Sequence, residues 1–415
     1  MDAFQYQQGQ LYCESVSLAD IAKEVGTPFY VYSESALLAR ARMYMTAVSM
    51  ETAVSAPDAL VCYAVKANGN PAIIRRLGEA GFGADVTSGG ELFLALHAGI
   101  SPQKIIFSGV GKTAPEIHAA LDAGIRAIHV ESEMELEAIA AIAAQRGQTA
   151  SIGVRVNPNI SVETHPYIST GLHAHKFGVT PDRAMTMLHE AAKHPHLQPV
   201  GLAAHIGSQI TAVSPFVQSA EFLVEMAQEL AAGGIQLTYL DVGGGLGINY
   251  AAQDAPAIQE WATAVAAPVR AAGYGLVLEP GRSVVGPIGA LVTAVTYTKR
   301  QGEKTFVITD TGMSDLLRPT LYNAYHPIWP LREQPDAAPI MVDVVGPICE
   351  TGDWLARERP LPPQQAGDLL AILQVGAYGY AMSSNYNGRL RPPELLVSQS
   401  EYTLIRQRQR YEQLL

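Results

Sequence analysis

The stretch LVCYAVKANGNPAIIRRLGEAGFGADVTSGGELFLALHAGISPQKIIF, residues 60–107, decides how this chain folds. It holds three short apolar runs, LVCYAV (60–65), GADV (83–86) and KIIF (104–107), separated by two longer segments with helical spacing, 70–80 and 88–98. A strand that is apolar along its length, rather than at alternate positions, needs cover on both faces. Helices ending at Gly81 and Gly99 provide that cover, because glycine takes the left-handed conformation that terminates a helix. The pattern is a βα repeat with parallel strands.

Working outward, the repeat continues. RAIHV (126–130), SIGVRV (151–156), PVGLAAH (199–205), LTYLDV (237–242) and LVLE (276–279) read as further strands. Helices are predicted over 114–123, 132–146, 181–193, 214–232 and 256–272, with another, 34–50, ahead of the first strand. Parallel strands repeated in this way over about 250 residues favour an α/β fold of the (β/α)8 barrel type, with a doubly wound open sheet as the alternative. After residue 285 the texture changes. VGPIGALVTAVTY (285–297), KTFVITDTG (304–312), PIMVDVVGP (339–347), DLLAILQVGAYG (368–379) and PELLVSQSEYTLI (393–405) predict a second, mostly antiparallel β domain. The expected boundaries are 26–284 for the barrel and 285–415 for the β domain, with 1–25 joining the latter. HPIWPLREQPDAAP (326–339) and RERPLPPQQ (357–365) read as loops.

Composition narrows the function classes. With 48% hydrophobic and 16% charged residues in 415, the chain has the balance of a globular enzyme. Lys and Arg number 28 against 39 Asp and Glu, and no basic run tracks a phosphate backbone, so nucleic acid is not an expected partner. No apolar run approaches the roughly 20 residues that span a bilayer, and no secretion signal is recognised, so a cytoplasmic protein without a membrane partner is expected. Cys13, Cys62 and Cys349 are too few and too scattered for a disulfide framework or a tetrahedral zinc site. The pairs His173/His175 and His194/His196 lack completing ligands, and no metal is expected.

In a barrel the chemistry belongs at the C-terminal ends of the strands. Lys66 follows strand one, Ser108 and Gly109 strand three, Asn157 strand five, His205 strand six, Gly243–Gly245 strand seven, and Glu279–Arg282 strand eight. Lys66 ends an apolar run, where burial disfavours the ammonium and leaves an amine for Schiff-base chemistry; an isolated lysine would more often simply snorkel. The triple glycine of DVGGGLGIN lets backbone N–H groups approach a phosphate, or makes only a tight turn. Glu279 needs a cationic partner, which a protonated pyridine nitrogen or Arg282 can supply. His205 is placed either to stack on a flat ring or to pack in the core.

The motifs together resemble the alanine-racemase-like pyridoxal-phosphate enzymes, and within them the diaminopimelate decarboxylases. The resemblance runs through YAVKANGNP (63–71), HPYISTGLHAHKFGV (165–179), HIGSQI (205–210), DVGGGLGI (241–248), EPGRS (279–283), MSDLLRPTLYNAYH (313–326), GPICETGDWL (346–355) and GAYGYAMSSNYN (376–387). It implies pyridoxal 5'-phosphate as cofactor and Lys66 as its Schiff-base lysine. His205 would stack on the ring and Glu279 would face its nitrogen. The phosphate would be held near Ser208, Gly244, Gly245, Pro280, Gly281, Arg282 and Tyr378. Arg282, Arg318 and Tyr322 would bind the distal carboxylate of the substrate, with Tyr378 also at the substrate, and Glu350 its distal amino group. Cys349 would deliver the proton after decarboxylation. His175 departs from the resembling pattern, which commonly has a serine there.

The reaction this resemblance implies is decarboxylation of meso-2,6-diaminopimelate to L-lysine and CO2, the last step of lysine biosynthesis, by a homodimer with shared active sites. A decarboxylase of another diamino acid or of a carrier-bound glutamyl group is the nearest alternative. A non-catalytic pyridoxal-phosphate-binding protein is the alternative from another class.

Overall fold

The computed structural model describes residues 3–49, 59–161, 176–250 and 254–415. The loop expected after strand five, with His173 and His175, lies largely outside them. Two compact units result: Arg40–Ile248 with Asp254–Ser283, and Met1–Ala39 with Asn249–Gln253 and Val284–Leu415.

The first unit is a closed barrel of parallel strands, Ala59–Ala64, Gly83–Val86, Ile105–Phe107, Ala127–Val130, Ala150–Arg155, Leu197–Ala203, Tyr239–Asp241 and Gly275–Leu278. Each pairs with its neighbours in sequence, and the last closes on the first in the register Leu276 to Ala59. Closure excludes the open sheet. The connecting helices include Pro71–Glu79, Gly89–His97, Ala114–Ala123, Glu133–Gln145, Pro181–Lys193, Ser214–Ala232 and Ile258–Ala271. Several start on side-chain caps that relieve the unsatisfied first-turn N–H groups: Asn70 accepts from Ala72, and Ser88 from Glu91.

The barrel interior is filled by side chains, with Cys62, Ile106, Val200, Tyr239 and Val277 packed together. Two strand glycines make room for rings. A Cβ on Gly201 would lie 2.4 Å from the Tyr239 ring, and one on Gly153 would lie 2.7 Å from His129. Strand glycine therefore marks close approach in this barrel, at the cost of local β propensity.

The second unit is a mixed, mostly antiparallel sheet in the order Trp354–Leu361, Ile340–Val345, Lys304–Thr309, Gly289–Gln301, Phe29–Ser33, Glu394–Ser398, Glu401–Arg406. Ile328–Pro330 and Leu369–Leu373 join it alongside Gly289–Gln301. Two adjacent pairs are parallel, Lys304–Thr309 with Ile340–Val345 and Phe29–Ser33 with Glu394–Ser398. A separate three-stranded sheet holds Phe4–Gln7, Gln10–Cys13 and Val16–Ser17.

Three expectations change. Residues 26–39 group with the β unit rather than the barrel, because Phe29–Ser33 pairs with Gly289–Gln301 and Glu394–Ser398. The expected loop 326–339 contains the strand Ile328–Pro330, and the expected loop 357–365 is entered by Trp354–Leu361. Pro360 fits there because that strand lies at the sheet's edge, where a missing N–H is tolerated. Among the described residues no helix is long and apolar enough to cross a membrane.

Candidate active site

Strand one ends at Ala64, and Lys66 stands just beyond it in the turn Val65–Ala67. The turn is held by the Tyr63 hydroxyl, which donates to the Asn68 carbonyl at 2.9 Å. Ala64 N–H donates to Pro280 O at 3.1 Å, tying this turn to the loop after strand eight. A Cβ on Gly281 would meet the Cβ atoms of Ala64 and Ala67 at 3.1 Å each, so a side chain there would press the two loops apart.

Lys66 Nζ donates to Asp85 Oδ2 at 2.5 Å; the lysine side chain is 37% exposed, the aspartate fully buried. The burial expected of this lysine is therefore only partial. The side chain reaches a cavity and has a carboxylate partner, which stabilises an ammonium. Burial would raise the Asp85 pKa, yet the Lys66 charge and hydrogen bond bring it below the ordinary value.

Lys66, His205 and Glu279, from the ends of strands one, six and eight, line one cavity of about 340 Å³, together with Ser108, Arg155 and Phe177. Gly244 N–H donates to His205 Nδ1 at 3.3 Å, so the ring proton belongs on Nε2. Burial, followed by the Arg155 and Lys66 charges, pushes the His205 imidazole down to about 3, leaving it neutral. Glu279 is buried and accepts from Ser108 Oγ at 3.3 Å. Burial, then the neighbouring Asp241 and Asp85 carboxylates, raises its pKa well above the usual range. Arg155 pairs with Glu131 at 3.1 Å and lies over the Phe177 ring at 4.9 Å, forming a cationic wall.

The triple glycine is sterically required. A Cβ on Gly244 would fall 2.0 Å from Glu279 O, and on Gly245, whose φ is +107°, 2.1 Å from Gly207 O. Arg282 Nη2 donates to Ser208 Oγ at 2.9 Å, bringing two expected phosphate residues together. Asn157, singled out as a rim residue, accepts from Asn159 N–H within its own turn. Of the histidine pair His194/His196, Nδ1 of the former accepts from the His196 backbone and Nδ1 of the latter bonds the Gln148 carbonyl. Both nitrogens serve local structure.

The remaining expected residues are in the β unit. Arg318 is buried at the start of the turn Arg318–Tyr322, its guanidinium 5.0 Å from the Tyr250 ring and 5.9 Å from that of Tyr322. Thr320 Oγ1 donates to Gly352 O at 2.7 Å and so fastens this turn to the Cys349–Asp353 segment. That segment is organised by the buried Asp353 carboxylate, which accepts from Met313 and Ile348 N–H groups at 2.6 Å each. Cys349 is exposed, and its N–H donates to Asn387 Oδ1 at 2.8 Å. Tyr386 donates to the Glu350 carboxylate, which holds the phenol pKa up. Tyr378 is half-buried with φ +57°, between Gly376 and Gly379, where a Cβ would meet Val285 O at 1.8 Å and Val375 O at 2.4 Å.

Sequence reading misses Asp85, His129, Arg155 and Asp241 as site residues. His129 Nε2 and the Tyr239 hydroxyl are 2.9 Å apart, and burial drives this imidazole down to about 3. A ring nitrogen of His129 and carboxylate oxygens of Asp241 and Glu279 lie within 4.8 Å of one another. Within this cluster His129 Nε2 is engaged by Tyr239 and Asp241 Oδ1 accepts a Gly243 N–H at 2.8 Å. The signal available in the sequence is a charged or imidazole side chain within a strand short enough to be buried on both faces.

These residues fit a phosphorylated pyridine aldehyde. The cavity offers an amine, a flat neutral imidazole and a buried carboxyl whose ionisation needs a cation, and the glycine loop leaves no room for side chains. Residues 41–286 match the family described as pyridoxal-dependent decarboxylase, pyridoxal binding domain. A diaminopimelate decarboxylase of Aquifex aeolicus is 46% identical over 409 residues, covering 98% of this chain and 95% of its own. One from Neisseria meningitidis serogroup A is 47% identical over 97% of each chain. The crystal structure of diaminopimelate decarboxylase from Helicobacter pylori complexed with L-lysine superposes with a TM-score of 0.90 at 40% identity, covering 95% of this chain and 98% of that one.

Proposed function

Since the chain belongs to the diaminopimelate decarboxylases, among the pyridoxal-dependent decarboxylases, we propose that it converts meso-2,6-diaminopimelate to L-lysine and CO2. The observation that carries this is the convergence of Lys66, His205 and Glu279 on one cavity from strands one, six and eight. Bound pyridoxal phosphate supplies an electron sink for the pair left when CO2 departs.

The chain's own residues do the rest. Lys66 Nζ provides the amine that holds the cofactor aldehyde, and Asp85 orients it. Neutral His205 gives a flat face without adding charge beside the ring. Glu279 presents a carboxylate to the ring nitrogen and so favours decarboxylation over the racemisation an arginine would favour. Ser208, Gly244, Gly245, Pro280, Gly281 and Arg282 hold the phosphate, with Tyr378 assisting. Arg282, Arg318 and Tyr322 bind the distal carboxylate, because a guanidinium fork matches it bidentately. Glu350 binds the distal ammonium, and Cys349 Sγ delivers a proton to the carbon that lost CO2.

The protein acts as a homodimer in which this segment serves the site of a second copy, a role that requires Cys349 to be accessible, as it is. A cytoplasmic location completes the proposal, and cell fractionation tests it. The test of function is a steady-state comparison of meso-diaminopimelate with ornithine, lysine and arginine, following CO2 and lysine. Lysine released from diaminopimelate alone is the expected result. Turnover of ornithine or arginine without lysine formation would assign a different substrate. A coloured, borohydride-sensitive protein that releases no CO2 from any of them would be a binding protein.

A further inference from the structure

We propose that Asp241 is a positioning residue for Glu279: the two buried carboxyls hold one proton between them, and Asp241 donates it to one Glu279 oxygen while the other faces the cationic ring nitrogen. This rests on the pyridoxal-phosphate reading of the cavity.

The geometry leaves one oxygen of the pair in need of a proton. Asp241 ends strand seven and is fully buried. Its Oδ1 accepts the Gly243 N–H at 2.8 Å, whereas Oδ2 meets no hydrogen-bond donor among the described residues. An Asp241 carboxylate oxygen lies within 4.8 Å of one of Glu279, and His129 Nδ1 is 3.9 Å from Oδ2. His129 does not fill the gap with charge, since burial keeps it neutral.

Two ionised carboxylates this close and this dry repel each other, and a shared proton both removes the repulsion and satisfies Oδ2. Burial moves both upward: Asp241 reaches about 7 although the Gly243 bond and the hydrogen bond with Glu279 lower it, and Glu279 is raised further by the Asp241 and Asp85 carboxylates, so one proton is shared by the pair. The other groups facing the pair are Cys62 and Lys66 on or after strand one, Asp85 on strand two, Arg126 before strand four, Arg155 on strand five and Tyr239 on strand seven. Asp85 is taken up by Lys66 and Arg155 by Glu131, so neither supplies the missing proton.

The functional consequence is directional. A protonated Asp241 withdraws electron density from Glu279 and makes it a weaker base, so the remaining proton stays on the ring nitrogen. Without that donor, Glu279 competes for the nitrogen's proton and the electron sink is weakened.

The experiment uses holoenzyme reconstituted with cofactor labelled with 15N in its ring, in wild type, Asp241→Asn and Asp241→Ala. Nitrogen NMR reads protonation of the ring, and infrared spectroscopy with 13C-labelled aspartate reads a protonated aspartic acid. The wild type is expected to show the aspartic acid band at neutral pH and a protonated nitrogen. Asp241→Asn, whose amide can donate in the same place, loses the band but keeps the nitrogen protonated. Asp241→Ala moves the nitrogen's titration down by about one unit, a tenfold change in proton affinity.

An ionised Asp241 makes the opposite forecast: no aspartic acid band in the wild type, and asparagine as damaging as alanine. Either finding overturns the proposal, even in an active decarboxylase. Conversely, an aspartic acid band with the predicted nitrogen behaviour and no CO2 release would sustain the proton pair and remove the assigned reaction.

Discussion

The barrel cavity and the Cys349–Asp353 segment are built on opposite principles. In the cavity the ionisable groups are answered by neighbours: Lys66 by Asp85, Arg155 by Glu131, His129 by Tyr239. These groups are mostly buried, and their protonation states depend on one another. The Cys349 segment has one buried anchor, Asp353, while Cys349 itself is exposed. A buried constellation can tune pKa values through mutual desolvation; an exposed loop can only present reactive groups to something that arrives. The difference is in keeping with the proposal that the first region carries the cofactor chemistry and the second contributes to another copy's site.

The sharpest way to break this division is to remove the amine. Lys66→Ala is expected to abolish turnover, measured as CO2 release, because the group that holds the cofactor is gone. Residual activity near that of the wild type would move the chemistry elsewhere. Next in size is Glu279→Gln, expected to keep bound cofactor, seen by its absorbance, yet lose more than about tenfold in kcat, or roughly 1.4 kcal/mol of barrier. A smaller loss would mean that a neutral amide serves the ring nitrogen equally well.

The exposed loop is tested by mixing. Lys66→Ala and Cys349→Ala homodimers are each expected to be nearly inactive. Subunit exchange between equal amounts should restore about a quarter of the sites, since half the dimers are mixed and each has one intact site. With exchange verified by mass, activity that stays at the level of the single variants would show that each chain builds its own site. The smallest effect is expected for Arg318→Lys: a higher KM for diaminopimelate with charge conserved, because an ammonium reproduces neither the bidentate fork nor the packing over Tyr250 and Tyr322. An unchanged kcat/KM would leave Arg318 a structural residue.

The same contrast separates what is legible in the sequence from what is not. The barrel strands are readable within about two residues, because each is a short, mostly apolar run set between segments of helical spacing. Phe29–Ser33 is not, since FYVYS ahead of a helix looks like one more βα unit and its partners, Gly289–Gln301 and Glu394–Ser398, are far along the chain. Lys66, His205 and Glu279 stand out because they interrupt or terminate apolar runs next to glycine-rich loops. Asp85 in GADV, His129 in AIHV and Asp241 in YLD do not. Which face of a short strand looks into the barrel is set by closure and shear, and spacing within one strand does not report it.

The central claim, that Lys66 holds the cofactor, is tested most directly by reducing the reconstituted protein with borohydride and mapping the modified peptide. The expected result is a pyridoxyl group on Lys66 within YAVKANGNP and nowhere else. A pyridoxyl group on another lysine, or a protein that borohydride leaves unmodified, would contradict it.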